Sequence, residues 1–327
     1  MSYECFSQKV VLVTGATGSF GRKFITTLLA ESCAKKVIVF SRDELKQSHM
    51  QVEISDPENR LRFFIGDVRD LDRLRRAFHG VDIVVHAAAL KQVPALEYNP
   101  YEAVKTNVLG SQNVIDAAID CGVKQVVLIS TDKAANPVNL YGATKMTAER
   151  LFIQGNVYSG GTTKFAVVRY GNVVGSRGSI VDILKNRKEG GSVRITDEAM
   201  TRFWITLDQG VAIVVHAIET MRGGEIFIPK IPSMRVVDLM EAIAPGCQRE
   251  IIGIRPGEKI NEVLITEEES RTGREFDGHF VIISGIEIGN SPWLEGSPLP
   301  ADFRYASHTN THWLSVEDIK KIVYPEK

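Results

Sequence analysis

A short acid-base set of side chains lies between residues 130 and 145. Thr131, Asp132 and Lys133 supply a hydroxyl, a carboxylate and an amine, and Tyr141 and Lys145 supply a phenol and a second amine. Residues four positions apart are neighbours on one helix face. Because the ordinary pKa of tyrosine is about 10, a phenol acts as a base near neutral pH only if a fixed positive charge, such as that of Lys145, stabilises its phenolate. These residues predict proton-transfer chemistry.

The surrounding sequence places this set at the end of a strand. Residues 125–129 form an apolar, β-branched run typical of a buried strand, and Asn136-Pro137 predicts the beginning of the next helix. Residues 131–133 then lie at the carboxyl end of the strand. A tyrosine and a lysine four positions apart are also an ordinary surface pair on many helices, so their function depends on the rest of the chain.

A glycine-rich turn near the amino terminus predicts a dinucleotide site. An apolar strand at 9–14 leads into Gly15, Gly18 and Gly21, and a helical pattern follows over 22–29. Glycines permit the tight turn and let the backbone approach a pyrophosphate, whose charge is met by free amides and the helix N-terminus. A triplet between a strand and a helix meets the condition for such a site. The other residues predicted to contact the cofactor in this turn are Thr17, Ser19 and Phe20.

The residues after the second predicted strand favour NADP over NAD. The strand at 36–40 ends in Ser41-Arg42, where an NAD-binding chain usually has an acid for the ribose hydroxyls. Serine and arginine suit a 2′-phosphate instead. Asp43 and Glu44 leave an alternative open, because either a displaced ribose acid or the first turn of a helix explains them.

Small and polar residues follow two further strands. Asp67 and Val68 come after the third strand, and Ala87, Ala88 and Ala89 come after the fourth, where small side chains let a cofactor lie close. They are predicted cofactor contacts, although ordinary turns explain them too.

Two more polar residues lie near these strand ends. Lys91 is predicted to face the cofactor phosphates or the substrate, and Asn107 to make a polar contact inside the helix that carries residues 101–118. A solvated loop lysine and a structural asparagine are the alternatives.

The alternation of apolar runs and helical patterns predicts an α/β fold: a Rossmann-type doubly wound parallel sheet with a smaller C-terminal substrate-binding lobe. We expect an NADP-binding domain over 1–172, to which some later segments return, and mainly a substrate-binding lobe over 173–327, interleaved with the first. The predicted strands are 9–14, 36–40, 61–65, 81–86, 125–129 and 165–169.

Composition is that of an enzyme in a reducing compartment. The 327 residues carry a formal net charge of −1, which predicts no nucleic-acid partner. Four cysteines lie far apart without a CxxC pair, so neither a metal site nor a disulfide framework is expected. With no signal sequence and no apolar stretch near the roughly 20 residues of a membrane span, a cytoplasmic location is expected.

Together these motifs resemble the inverting UDP-N-acetylglucosamine 4,6-dehydratases of the extended short-chain dehydrogenase/reductase superfamily. The glycine turn is general to the superfamily, whereas Thr-Asp-Lys eight residues before Tyr141 is specific to dehydratases. The match covers nearly the whole chain. The segments that carry it are 15–21, 130–134, 139–145, 169–173, 200–205 and 255–259.

The resemblance implies a reaction and its roles. UDP-N-acetylglucosamine would lose water to give a UDP-linked 6-deoxy-4-keto-L-arabino-hexosamine, which feeds pseudaminic acid and related surface sugars. Tyr141 would take the proton of the C4 hydroxyl, Lys133 the C5 proton, and Asp132 would protonate the departing C6 hydroxyl. The residues themselves leave the acid and base roles of Asp132 and Lys133 open. A homo-oligomer, either a dimer or a hexamer, is also implied.

A UDP diphosphate calls for arginine forks and polar anchors. Besides Lys91 and Lys133, the predicted substrate-binding residues are Asn172, Thr196, Arg202, Arg255, Tyr305 and His308, the last two in a tail segment similar to one that closes over the substrate in the family. Arg202 is equally explained as a structural ion-pair partner, and His308 as a surface residue.

Two other functions stay open. A nucleotide-sugar 4-epimerase shares the fold, cofactor and Tyr-Lys pair but needs no acid-base pair at C5 and C6, so Asp132-Lys133 argues against it. A non-catalytic NADP-sensing module would keep the glycines without needing Tyr141. Dehydratases that retain the C5 configuration resemble this chain but carry methionine where Tyr141 stands, so Tyr141 favours inversion.

Overall fold

Short runs of β-branched residues form the strands at the centre of the molecule. The computed structural model describes residues 2–175, 181, 184, 192–283 and 292–324. Most side chains in these strands are buried, as expected for a sheet covered on both faces. The strands of the first half are β1 (Val10–Thr14), β2 (Lys36–Ser41), β3 (Leu61–Ile65), β4 (Ile83–His86), β5 (Gln125–Thr131) and β6 (Lys164–Tyr170).

Helices connect these strands. They are α1 (Ser19–Glu31), α2 (Glu44–Glu53), α3 (Leu71–Phe78), α4 (Val93–Tyr98), α5 (Pro100–Ala103), a π-helical turn (Val104–Leu109), α6 (Gly110–Asp120) and α7 (Leu140–Tyr158). The N-terminus of α2 is capped by Asp43 and that of α7 by Asn139, whose side chains accept hydrogen bonds from backbone amides.

The remaining elements are shorter. The strands are β7 (Asn172–Val173), β8 (Ser192–Ile195), β9 (Thr201–Ile205), β10 (Ile226–Pro229), β11 (Ser233–Arg235), β12 (Gln248–Ile251), β13 (Val263–Ile265), β14 (Gly273–Glu275), β15 (His279–Ile282), β16 (Ser297–Pro298) and β17 (Tyr305–Ala306). The helices are α8 (Leu207–Thr220), α9 (Val236–Ile243), α10 (Glu267–Ser270) and α11 (Val316–Val323), with single 3₁₀ turns at Glu4–Phe6 and Pro292–Glu295.

The main sheet has the strand order of a dinucleotide-binding fold. Its order is β16-β14-β15-β10-β6-β5-β4-β1-β2-β3, and the seven strands from β10 to β3 run parallel. The chain reverses its direction of travel across the sheet between β1 and β4. Ligands of such folds bind at this switch point, beyond the carboxyl ends of the strands. Thr14, His86 and Thr131, the last residues of β1, β4 and β5, mark that edge.

The C-terminal half contributes to two separate hydrophobic cores. Strands β10, β14, β15 and β16 extend the main sheet, and the apolar residues of β10 and β15 join its core. A second cluster contains residues of β8, β9, α9 and α11, including Trp204, Leu239 and Ile319. The predicted doubly wound sheet is confirmed, whereas the division at residue 172 stays a prediction. Among the described residues, none of the helices combines the length and apolar character needed to cross a membrane.

Predicted and observed strands agree to within two residues at each end, but one predicted helix start was wrong. Helix α7 begins at Leu140, not at Asn136-Pro137, because the Asn139 side chain accepts from the Gly142 amide at 2.8 Å and sets the first turn. The helix predicted over 101–118 is confirmed, with α5 and α6 joined without a break through the π-helical turn. There Asn107 bonds the Leu90 amide and carbonyl at 2.8 and 2.9 Å, which fixes the loop after β4.

A buried ion cluster joins the main sheet to the C-terminal half. The Arg169 guanidinium, on β6, lies 2.6 Å from Glu149 on α7 and 2.8 Å from Glu269 on α10, and it also donates to the Leu264 carbonyl at 2.9 Å. The Ser130 hydroxyl donates to Glu149 at 2.5 Å. Every charge in the cluster is therefore paired, as burial requires.

We expect Arg169→Met to lower the free energy of unfolding by about 3 to 5 kcal/mol, because removing one partner leaves Glu149 charged and buried. Urea denaturation at pH 7 measures this. The control is Arg194→Met, which removes an exposed pair with Glu250 at 3.1 Å and should cost less than about 1 kcal/mol. Equal losses in the two variants would contradict the assigned importance of the cluster.

Candidate active site

A cavity of about 540 Å³ lies at the carboxyl ends of the parallel strands. All residues predicted to be catalytic or to contact the cofactor line it, and so do Lys91 and Asn172. The residues from the strand ends and turns are Gly15, Thr17, Gly18, Ser19, Phe20, Gly21, Ser41, Arg42, Asp67, Val68, Ala87, Ala88 and Ala89. Those from β5 and α7 are Thr131, Asp132, Lys133, Tyr141 and Lys145.

The glycine turn is shaped for close approach of a ligand. Gly15 has φ of +64°, and a Cβ there would lie 2.7 Å from the backbone of Ala87. A side chain would therefore both strain the turn and push it away from β4. The turn opens α1, whose first residues, Ser19, Phe20 and Gly21, line the cavity, and a helix N-terminus in this position suits a pyrophosphate. The residues present fit a dinucleotide.

The end of β2 presents cations to the cavity. Arg42 is exposed, and its guanidinium lies 3.5 Å from Asp67. Asp43 accepts from the Lys46 amide at 3.0 Å and pairs with the Lys46 ammonium at 2.7 Å, so this carboxylate is engaged in capping α2. Ser41 accepts from the Gln47 amide group at 3.0 Å, which leaves its own hydroxyl proton available to a ligand.

The acid-base set is held in one place by α7. A Cβ on Gly142 would overlap the Lys133 carbonyl, so glycine allows the helix to press against the loop after β5. The Asp132 carboxylate accepts from the Thr131 hydroxyl at 2.9 Å and from the Lys133 ammonium at 3.0 Å. The Lys145 ammonium donates to the Ile129 carbonyl at 2.7 Å. The carboxylate of Asp132, the amine of Lys133 and the phenol of Tyr141 thus form one wall of the cavity, which we call the acid-base wall.

Burial and neighbouring charges shift the pKa values of this wall. Burial raises the pKa of Asp132, an effect that the adjacent Lys133 only partly offsets. For Lys133, burial favours the neutral amine, but Asp132 and Glu262 outweigh it and raise the pKa above its usual range. Burial raises the pKa of Tyr141 to about 12 and lowers that of Lys145 to about 8. The cation that lowers the pKa of Tyr141 most is Lys133, not Lys145 as expected from the sequence.

Glu262 was not identified from the sequence. Its side chain is only 3 % exposed, and one carboxylate oxygen lies 3.1 Å from the Lys133 ammonium. Its sequence signal is weak: a single acidic residue directly before the apolar strand β13. Other cavity-lining residues that the sequence did not single out include Lys46, Thr106 and Leu207.

Five of the predicted substrate-binding residues are not among the residues that line the cavity in the described part of the chain. Thr196 donates to Glu258 at 2.8 Å, and Arg255 pairs with the same carboxylate. Arg202 donates to the carbonyls of Ile260 and Lys259 at 2.9 and 3.0 Å. For these residues, contact with a substrate stays a prediction.

The other two are Tyr305 and His308. The Tyr305 hydroxyl bonds both the amide and the carbonyl of Ile231 at 2.9 Å, which gives it a structural task, and His308 is exposed. Their predicted contacts with a substrate are likewise untested. No His, Cys, Asp and Glu side chains cluster as metal ligands within the described ranges.

Known proteins similar to this chain were found by sequence and by fold. A family model described as polysaccharide biosynthesis protein matches residues 11–284. An inverting UDP-N-acetylglucosamine 4,6-dehydratase of Campylobacter jejuni subsp. jejuni serotype O:2 is 47% identical, covering 97% of this chain and 98% of that protein. A UDP-glucose 4-epimerase of Rickettsia akari is 40% identical, covering 97% and 96%.

Two solved structures share the fold. Pen from Bacillus thuringiensis superposes with a TM-score of 0.88 at 39% identity and covers 97% of both chains. The dTDP-glucose 4,6-dehydratase DesIV from Streptomyces venezuelae, solved with NAD and TYD bound, has a TM-score of 0.69 at 25% identity and covers 77% of this chain and 86% of its own.

Proposed function

This chain belongs to the polysaccharide biosynthesis protein family, and we propose that it is a hydro-lyase, an inverting UDP-N-acetylglucosamine 4,6-dehydratase. The observation that carries the proposal is the hydrogen-bonded pair of Asp132 and Lys133 beside Tyr141 in the cavity. An epimerase has no use for that pair. The product would be UDP-2-acetamido-2,6-dideoxy-β-L-arabino-hex-4-ulose, and we place it on the route to pseudaminic acid or a related surface sugar.

The proposed cofactor is NADP. A nicotinamide cofactor, when bound, accepts and returns a hydride. Arg42 and Lys46 line the cavity at the end of β2, and the carboxylate of Asp43 is already engaged in the α2 cap. Two cations near the ribose favour a 2′-phosphate over a free hydroxyl. DesIV was solved with NAD, but its similarity to this chain does not show which of the two cofactors this chain binds.

The acid-base pair needs only one internal proton shift to become active. Elimination calls for a neutral Lys133, to take the C5 proton, and a protonated Asp132, to protonate the C6 hydroxyl as it leaves. In the resting site the proton lies on Lys133, which donates to Asp132 at 3.0 Å. Moving that proton along the hydrogen bond creates both reactive forms without exchange with solvent. The raised pKa of Asp132 favours this shift, whereas the raised pKa of Lys133 opposes it.

Two further observations support a proposed cellular compartment and a proposed oligomeric assembly. The four cysteines, Cys5, Cys33, Cys121 and Cys247, are free thiols, which suits a reducing cytoplasm. Exposed apolar side chains on α4, α5 and the π-helical turn, namely Tyr98, Tyr101 and Leu109, suit a contact between copies of the chain, so we propose a homo-oligomer.

Purified protein should convert UDP-N-acetylglucosamine to a product lighter by one water, with no net accumulation of reduced nicotinamide, because the hydride is returned within each turnover. Mass spectrometry measures the product, and repetition in heavy water with NMR locates deuterium at C5. Tyr141→Phe, prepared in parallel, controls for contaminating enzymes. An isomer of unchanged mass as the only product would instead establish a nucleotide-sugar 4-epimerase, the class of enzyme to which the name of the Rickettsia akari relative belongs.

Arg42→Asp should weaken NADP binding by about 1.5 to 3 kcal/mol, the usual contribution of a hydrogen bond to a charged group, and should affect NAD binding less. Fluorescence titration with each cofactor measures the two affinities. Arg62→Asp makes the same charge change on β3 at an exposed residue outside the cavity lining, and it should leave the preference unchanged. If Arg42→Asp also leaves the preference unchanged, the 2′-phosphate assignment is wrong.

Lys133→Ala and Tyr141→Phe should block different steps. Tyr141→Phe should lose about 10² to 10⁴-fold in rate and should neither reduce bound cofactor nor exchange C5 with solvent, because the opening oxidation fails. Lys133→Ala should slow the opening oxidation, because Tyr141 loses the cation that most lowers its pKa, but should still accumulate enzyme-bound reduced nicotinamide, because elimination is blocked. Absorbance and deuterium incorporation distinguish the two variants. Turnover of Lys133→Ala near the parent rate would show that Lys133 is not the base.

A further inference from the structure

Glu262 is a buried carboxylate placed behind the proposed base. It directly precedes β13, and its backbone is held by Ser307, whose hydroxyl accepts from the Glu262 amide and whose amide donates to the Glu262 carbonyl, both at 2.9 Å. One carboxylate oxygen lies 3.1 Å from the Lys133 ammonium. The other is buried without a hydrogen-bond partner in the described part of the chain. The side chain thus contacts Lys133 but is outside the described cavity lining.

Lys133 lies between two carboxylates. Asp132, 3.0 Å away, faces the cavity, and Glu262 lies behind. From β9, Arg202 reaches within 3.9 Å of Glu262, and Lys259 lies 3.7 Å from it on the other side. From α7, the Tyr141 side chain faces Lys133, whose charge lowers the pKa of Tyr141.

These neighbours keep Glu262 ionised. Burial alone would raise its pKa, but Lys133, Arg202 and Lys259 together lower it. A carboxylate that stays negative at neutral pH provides a constant field at the nitrogen of Lys133.

We propose that Glu262 is a positioning residue that holds Lys133 in place and stabilises the positive charge that Lys133 gains when it takes the C5 proton. The inference rests on the proposed function for its catalytic consequence. In that step the C5–H bond breaks, an N–H bond forms on Lys133, and the electron pair moves toward the C4 ketone. Because a nearby anion stabilises the ammonium more than the amine, Glu262 strengthens Lys133 as a proton acceptor once Lys133 has passed its own proton to Asp132.

The first test measures the protonation of Lys133 without any substrate. Protein labelled with ¹³C at the lysine ε carbon is titrated by NMR, and the resonance missing from Lys133→Met identifies Lys133. In the parent this resonance should keep the shift of an ammonium group into strongly alkaline solution. In Glu262→Gln the midpoint should fall by about 1 to 3 pH units, the usual effect of one opposite charge at this range. Identical titrations would overturn the proposal.

Two further variants separate charge from structure. Glu262→Asp keeps the charge and should titrate closer to the parent than Glu262→Gln does. If Glu262→Gln does not fold, the parent titration carries the test, and a Lys133 midpoint at or below the ordinary lysine value of about 10.4 would overturn the proposal. Glu225→Gln is the matched control: this buried carboxylate accepts from the Gly223 amide and the Trp293 indole at 2.9 Å, away from Lys133. Whatever it costs in stability, the Lys133 titration should not move.

A kinetic test follows where the parent dehydrates the sugar nucleotide. Glu262→Gln should lower kcat and the rate of C5 exchange in heavy water by at least about tenfold, within the range of general-base effects, with KM nearly unchanged. A change in KM alone would overturn the proposal. If the parent forms no dehydrated product, the proposed function fails, whereas the NMR titration still decides whether Glu262 controls the charge of Lys133.

Discussion

A charge removed from water must have a partner, and this constraint explains how the two halves of the chain are joined. Arg169 on β6 and Lys133 after β5 are cations of the parallel sheet. Their partners Glu269 and Glu262 belong to the segment from 258 to 270 in the C-terminal half. If that segment moved away, it would leave a buried arginine and a half-buried lysine each lacking one anion. The acid-base wall is therefore complete only when the C-terminal half is packed against the sheet.

The sheet and the cofactor edge were predictable because their causes are local. The spacing of apolar residues, the length of each apolar run and its content of β-branched residues predict β1 to β6. A glycine turn between a strand and a helix can be identified without reference to any distant residue. The parallel arrangement then brings the strand ends to one edge, which is why the predicted cofactor residues all line one cavity. Helix capping also depends on local residues, yet the predicted start of α7 was wrong. Asn136-Pro137 and Asn139 are competing start signals, and the hydrogen bond from Gly142 to Asn139 decides between them.

The C-terminal half was harder to predict because its contacts are distant in sequence. Glu262 lies 129 positions after Lys133, and a lone glutamate carries no pattern that identifies its partner. The same limit applies to Arg202, which has the residue type for a diphosphate but donates to backbone carbonyls of residues 259 and 260. The π-helical turn likewise has no periodic signal, since one extra residue in a helix changes its register without changing its composition.

Under the proposed mechanism, one lysine serves two steps that demand opposite charge states. The phenolate of Tyr141 needs a nearby cation, and Lys133 is the cation that lowers the pKa of Tyr141 most. Once Tyr141 has taken the C4 proton it is neutral, so Lys133 loses an anionic neighbour and its ammonium becomes less stable. Its proton can then pass to Asp132 at 3.0 Å, which prepares base and acid together. Completion of the first proton transfer thus favours the second, and the order of the steps follows from the arrangement of charges.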